Sequence, residues 1–176
     1  MHVSIYSCTK HATGVGMRGT IELDEFDFRL LAALEENGAL TNQQAAEKVL
    51  LSASQVSRRR QRLEESGLVR RIRAELDAER LGLGLLVFIR VTMATHSGDN
   101  AAAFASLIAR NPQIQEAYML TGDTDYLLKV LARDLAHLTE LVSGVLLPHA
   151  SVARLSSNIV LTRLKEGGSV LAAARE

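Results

Sequence analysis

"TNQQAAEKVLLSASQVSRRRQRLEESG", Thr41 to Gly67, contains two helix starts separated by a very short interval. Thr41 followed three residues later by Gln44 forms a capping box, in which each side chain satisfies a backbone N–H of the other. Ala45 and Ala46 are small enough to let a second helix cross closely. After Leu50 and Leu51, Ser52 or Ser54 can cap another helix, which runs to about Ser66 with Gly67 as its C-cap. Two helices joined by three or four residues read as a helix-turn-helix.

Working outward, "IELDEFDFRLLAALEENGAL" (Ile21–Leu40) supplies a preceding helix. Asp24 is its N-cap, Asp27 lies in the first turn where the dipole favours a carboxylate, and Phe26, Leu30, Leu31 and Leu34 mark an apolar stripe. Gly38 ends it. On the far side, "LVRRIRAELD" alternates and predicts a wing strand, with Leu68, Ile72, Ala74 and Leu76 on one face and Arg71 and Arg73 on the other. Ser52 to Arg73 holds seven arginines against two glutamates, a local charge of +5. Val56 and Leu63 point inward on the third helix, leaving Ser54, Gln55, Arg58, Gln61 and Arg62 outward. Gln and Arg can pair with base edges in a major groove, and serine and arginine can hold phosphates. The bland alternative is a solvated face laced with Glu–Arg pairs, since Glu64 and Glu65 follow closely. The capped helix-turn-helix favours DNA.

The second half changes texture after the turn-rich "DAERLGLG". "LGLLVFIRVTM" predicts a strand with Leu85, Val87, Ile89, Val91 and Met93 on one face and Leu86 and Phe88 on the other. "DNAAAFASLIARNP" is a helix with Ala101, Phe104, Leu107 and Ile108 inward, stopped by Pro112. "IQEAYML" and "DYLLKVLA" are strands around the turn "TGDT". "DLAHLTELVSGVLLP" is a helix capped by Asp134, with Leu135, Leu138, Leu141, Val142 and Val145 inward, and "SVARLSSNIVLTRL" closes as a strand. The order β-α-β-β-α-β is the ferredoxin-like arrangement. Both helices must cover one sheet face, and the other, not polar enough for water, should pack on a second copy. The expected class is therefore α+β. A flexible extension covers 1–20, a winged helix-turn-helix 21–80, a βαββαβ domain 81–165 and a tail 166–176.

The totals exclude several classes. Twenty basic and twenty acidic side chains cancel, which argues against a wholly basic nucleic-acid binder but permits a local patch. The single cysteine, Cys8, cannot build a disulfide framework and fits a reducing compartment. No apolar run reaches the ~18 residues of a membrane span, and the start has no signal-peptide core, so the expected location is the cytoplasm. Met17 is an alternative natural start.

Chemistry-bearing motifs are few. In "TGDTDYLL", Gly122 lets backbone N–H groups approach a ligand, and Asp123 and Asp125 could receive an ammonium group. Spacing alone equally describes a hairpin turn with two turn-favouring aspartates. His2, His11, His96, His137 and His149 lack metal-ligand spacing. No nucleophilic triad, P-loop or dinucleotide fingerprint follows a strand. Neither an enzyme, a metal nor a cofactor is expected.

Two stretches carry a family resemblance. "LDEFDFRLLAALEENGALTNQQAAEKVLLSASQVSRRRQRLEESGLVRRIRAELDAERLG" resembles the winged helix-turn-helix of the Lrp/AsnC (feast/famine) transcriptional regulators. "YMLTGDTDYLLKVLARD" resembles their ligand-sensing RAM domain. Together they cover about residues 21 to 165. The resemblance implies a regulator that binds double-stranded DNA, forms homodimers and often octamers, and responds to an amino acid held between RAM domains. It places Ser54, Gln55, Ser57, Arg58 and Arg59 on the DNA-facing helix; apart from the resemblance, Arg62, Arg71 and Arg73 are read as phosphate contacts. Leu120, Thr121, Gly122 and Asp125 fall on the effector loop, with Asp123 beside them.

Arg60 stands where the family usually has an aliphatic residue, and the extension before Ile21 is longer than the family needs. Some haem-biosynthetic decarboxylases are similar to the same two-part fold and supply a second reading. They resemble enzymes that need histidine and arginine near the end of the wing, and "RRIRAELDAERLG" has no histidine.

Overall fold

The computed structural model describes residues 21–95 and 97–174. The expectations for residues 1–20, including Cys8 and Met17, and for His96 lie outside the described residues. The chain forms two compact units. One comprises the residues up to Glu75 together with the segment from Gly167 onward, and the other runs from Leu76 to Glu166. The carboxy-terminal segment, read from sequence as a separate tail, thus belongs to the helical unit.

In the first unit, α1 (Glu25–Glu36), α2 (Asn42–Val49) and α3 (Ala53–Glu65) pack around Leu30, Ala33, Leu34, Leu40, Ala45, Ala46, Val49, Val56 and Leu63. All three helices start with a full capping box: Asp24 with Asp27, Thr41 with Gln44, Ser52 with Gln55. Each box satisfies N–H groups that a helix start otherwise leaves orphaned. Leu50, at φ 59, and the two residues after it make the tight turn into α3. A short α6 (Val170–Ala173) is capped by Ser169.

Two local expectations need correction. Gly38 does not cap α1, which ends at Glu36 with the extended Asn37 as its C-cap. Gly38 is required by proximity instead: a Cβ there would lie 2.9 Å from Ile72 Cγ2. The wing strand is also absent, and residues 68–77 carry no strand. Leu68, Ile72 and Leu76 are 41%, 45% and 71% exposed, so among the described residues the alternation has neither a strand partner nor a full apolar seat.

The second unit is a four-stranded antiparallel sheet in the order β2 (Ile114–Met119), β3 (Tyr126–Ala132), β1 (Leu85–Met93), β4 (Val152–Ile159). Its core joins Val87, Ile89, Val91 and Met93 of β1 to Leu128, Val130 and Ala132 of β3. Phe104 and Leu107 of α4 (Gly98–Arg110) close it from the helical side. This is the expected βαββαβ fold, although β4 ends at Ile159, short of Leu164.

The last helix departs from an α-helical reading. α5 (Leu135–Thr139) passes into a π-helical stretch, Glu140–Leu146, where Leu147 N–H bonds the Val142 carbonyl at 2.9 Å. The i→i+5 spacing turns Leu141 and Leu146 both inward, five residues apart. Leu135, expected inside, is 61% exposed because it stands at the very start of the helix.

Candidate DNA-binding surface and effector loop

α3 is fastened to α1 by a buried carboxylate. Asp27 is 1% exposed; its Oδ1 accepts from Arg59 Nη1 at 2.7 Å and its Oδ2 from Arg62 Nη2. Arg59 also reaches Asp24, 2.8 Å away, and its guanidinium lies 5.6 Å from the Phe26 ring centre. Partial burial works against the charged form of Asp24. Hydrogen bonds from Arg59 and from the Asp27 backbone, with the charge of Arg59, outweigh it and hold the pKa below the usual carboxylate value. Arg60 also braces the helices, donating to the Leu40 carbonyl at 2.9 Å and the Gly38 carbonyl at 3.4 Å while pairing with Glu64. An arginine can stand at this aliphatic position because two carbonyls of the α1–α2 connection receive its head.

These bonds sort the predicted DNA contacts. Ser54, Gln55, Ser57 and Arg58 lie exposed along one side of α3. The Gln55 carboxamide oxygen is occupied by the Ser52 N–H at 3.0 Å, so its –NH2 is the end available to a base edge. Arg58 makes no ion pair among the described residues, whereas the guanidinium of Arg59 is committed to Asp24 and Asp27. Arg62 is half-exposed with one carboxylate partner. Beyond the helix, Arg71 and Arg73 are exposed, and so is Arg70. Sequence reasoning missed Arg70 because the alternation assigned it to the apolar face of a strand that does not form.

The loop after β2 is closed by Leu120 N–H to the Asp125 carbonyl at 2.8 Å and anchored by Asp125 N–H to the Val91 carbonyl at 3.0 Å. Asp125 Oδ2 accepts from Met93 N–H at 2.7 Å. The aspartate therefore ties the loop to the end of β1 as well as presenting charge. Gly122 has φ +106, a conformation open to glycine and strained for other residues, and among the described residues no atom would lie within 4 Å of a Cβ there. Leu120, Thr121, Gly122 and Asp123 are exposed, and Asp125 is half-buried beneath them. Among the described residues no group of three or more His, Cys, Asp or Glu side chains could hold a metal ion.

Three capped helices with an arginine-bearing third helix in one unit, and a ferredoxin-like sheet in the other, define a two-domain α+β protein. Residues 23–70 match the winged helix-turn-helix DNA-binding family, and residues 86–170 match the Lrp/AsnC ligand-binding domain. The leucine-responsive regulatory protein of Rhizobium meliloti is 35% identical over 150 residues, covering 85% of this chain and 96% of that protein. The Bkd operon transcriptional regulator of Pseudomonas aeruginosa is 36% identical over 140 residues, covering 80% and 92%. A transcriptional regulator of Neisseria meningitidis, solved in complex with L-Met, superposes with a TM-score of 0.79 at 38% identity, covering 82% of this chain and 93% of that one. The chain belongs to the Lrp/AsnC family of transcriptional regulators. Relatives of this kind give the decarboxylase reading no support.

Proposed function

We propose that this protein is a cytoplasmic, sequence-specific DNA-binding regulator that works as a homodimer, assembles further into octamers, and responds to a free amino acid. The DNA reading rests above all on Arg58. It is an exposed guanidinium with no ion pair among the described residues, on a helix whose other arginines, Arg59, Arg60 and Arg62, all have carboxylate partners. Arg70, Arg71 and Arg73 extend the cationic surface toward phosphates.

Dimerisation is supported by the sheet face opposite the helices. Leu86 and Phe88 of β1 share that face with Leu127 and Leu131 of β3, all half-buried with no helix above them. A second copy would remove them from water. The amino-acid reading is supported by the loop at Gly122 and by relatives described as leucine-responsive or solved with L-Met. On this reading backbone N–H groups near Gly122 take the carboxylate, and the carboxylates of Asp123 and Asp125 take the ammonium.

Footprinting of genomic fragments, with and without leucine or methionine, tests the whole proposal. Two half-sites related by a two-fold axis, about one helical turn or a multiple apart, are expected. The amino acid should change the footprint. Asp125→Asn keeps an acceptor for Met93 N–H but loses the charge, so it should keep the footprint and lose the amino-acid effect. A single short asymmetric site would overturn the dimer geometry.

A further inference from the structure

The open face of the sheet carries a second constellation, which meets the loop after β2 at Thr124. Arg90 on β1 stands opposite Ser156 on β4, and Thr92 stands opposite Arg154. The two arginines are thus diagonal neighbours on one face, about 7–8 Å apart along the ladder. Arg90 Nη2 lies 3.4 Å from Ser156 Oγ. With Thr92 and Thr124, and the Leu155 backbone between Arg154 and Ser156, these residues line a cavity of about 380 Å³. That is the low end of the ~300–1,000 Å³ typical of small-molecule sites.

The lining holds two guanidinium groups, three hydroxyls and no carboxylate. Neither arginine has an ion-pair partner among the described residues. Two like charges at diagonal spacing repel one another on an empty face, and an anion between them turns that repulsion into attraction. A guanidinium fork matches the two oxygens of a carboxylate or phosphate, and the Thr124 and Ser156 hydroxyls add donors, while Thr92 Oγ1 donates to the Asp123 carbonyl at 3.5 Å. A zwitterionic amino acid fits poorly, because its ammonium would meet two cations and no carboxylate. We propose that this cavity is a binding site for a small doubly charged anion, a dicarboxylate or a phosphate-bearing metabolite, lodged between Arg90 and Arg154.

Calorimetry on the full chain at constant ionic strength, with chloride as the balancing anion, tests the proposal. Malonate and inorganic phosphate are the probes and leucine the zwitterionic control. Saturable binding of malonate or phosphate, one per chain, is expected, and the tighter of the two identifies the carboxylate or the phosphoryl source. Arg90→Gln and Arg154→Gln should each weaken it at least about tenfold, the effect of losing one charged hydrogen bond. Arg154→Lys, which keeps the charge and loses the fork, should fall between. Melting curves without anion check that the variants fold; if Arg90→Gln is destabilised, Arg154→Gln on the edge strand decides. Heats that never saturate, or saturable binding that both glutamine variants retain in full, would overturn the site. Leucine binding that both variants abolish would overturn the anion class.

Discussion

Asp27 shows how far a residue's role can depend on what folds against it. In sequence it is an acidic residue in the first turn of a helix. In the structure it is buried and receives Arg59, Arg62 and the Asp24 N–H on its two oxygens. Such a carboxylate is favourable only while those donors stay, since an uncompensated charge in the interior is costly. Asp27→Asn removes the charge and places an –NH2 group against an arginine. A loss of about 1.5–3 kcal/mol is expected, the range for hydrogen bonds to charged groups, read as a lower midpoint in urea. An unchanged midpoint would mean that the two arginines do not fasten α3 to α1. Arg59 follows the same logic: counted from sequence as a DNA contact, it is occupied within the chain. The pattern could not reveal this, because Asp24 and Asp27 lie more than thirty positions away from it.

At the scale of elements, the signals that were legible are local ones. The Thr41–Gln44 capping box, the apolar stripe of α1 around Leu30 and Leu34 and the alternation of β1 all act within a few residues, and each is present as read. The failures need non-local information. The post-α3 segment alternates like a strand, yet alternation states only that a strand could form, and among the described residues no strand pairs with it. The π-helical stretch escapes a 3.6-residue period by construction, which hides Leu146, and Leu135 is exposed by its place at the very start of α5. For α3 and the segment after it, the division between ion-paired and unpaired arginines leads to a sharp contrast. Arg58→Ala should cost about 1–3 kcal/mol of DNA affinity and relax sequence preference, whereas Arg71→Ala should weaken all sequences alike and lower the salt slope by about one. Gel-shift titrations on cognate and scrambled duplexes at several salt concentrations distinguish the two. Equal losses on both duplexes for Arg58→Ala would assign it to phosphate.

Over the whole molecule, the chain leaves the helical unit at Glu75, builds the sheet unit, and returns to the helical unit at Gly167. The return is held by one side chain of α1. Glu35 Oε2 accepts from Ser169 Oγ at 2.5 Å, and Oε1 accepts from the Val170 and Leu171 N–H groups at 2.7 and 3.4 Å. Nothing in the Ser169–Ala174 sequence announces this, because the partner lies more than 130 positions away. The Ser169 hydrogen bond is the largest influence on Glu35. With the two backbone N–H groups it outweighs the opposing effect of burial and lowers the pKa from 4.5. A carboxyl group whose folded pKa is depressed contributes stability above its unfolded pKa and loses it as pH falls through the folded one. Docking of the carboxy-terminal segment should therefore be complete at neutral pH, begin to weaken below about 4.5, and be lost at lower pH. Hydrogen exchange at the Val170 and Leu171 amides, corrected for the intrinsic pH dependence, reads this directly. Protection should fall on acidification in the wild type, while core amides such as Val87 and Val130 persist. Glu35→Gln keeps an acceptor but cannot titrate, so its protection should be weaker at pH 7 and flat across the acid range. Protection in Glu35→Ala equal to the wild type at pH 7 would show that the segment is held by apolar contacts rather than by this carboxylate.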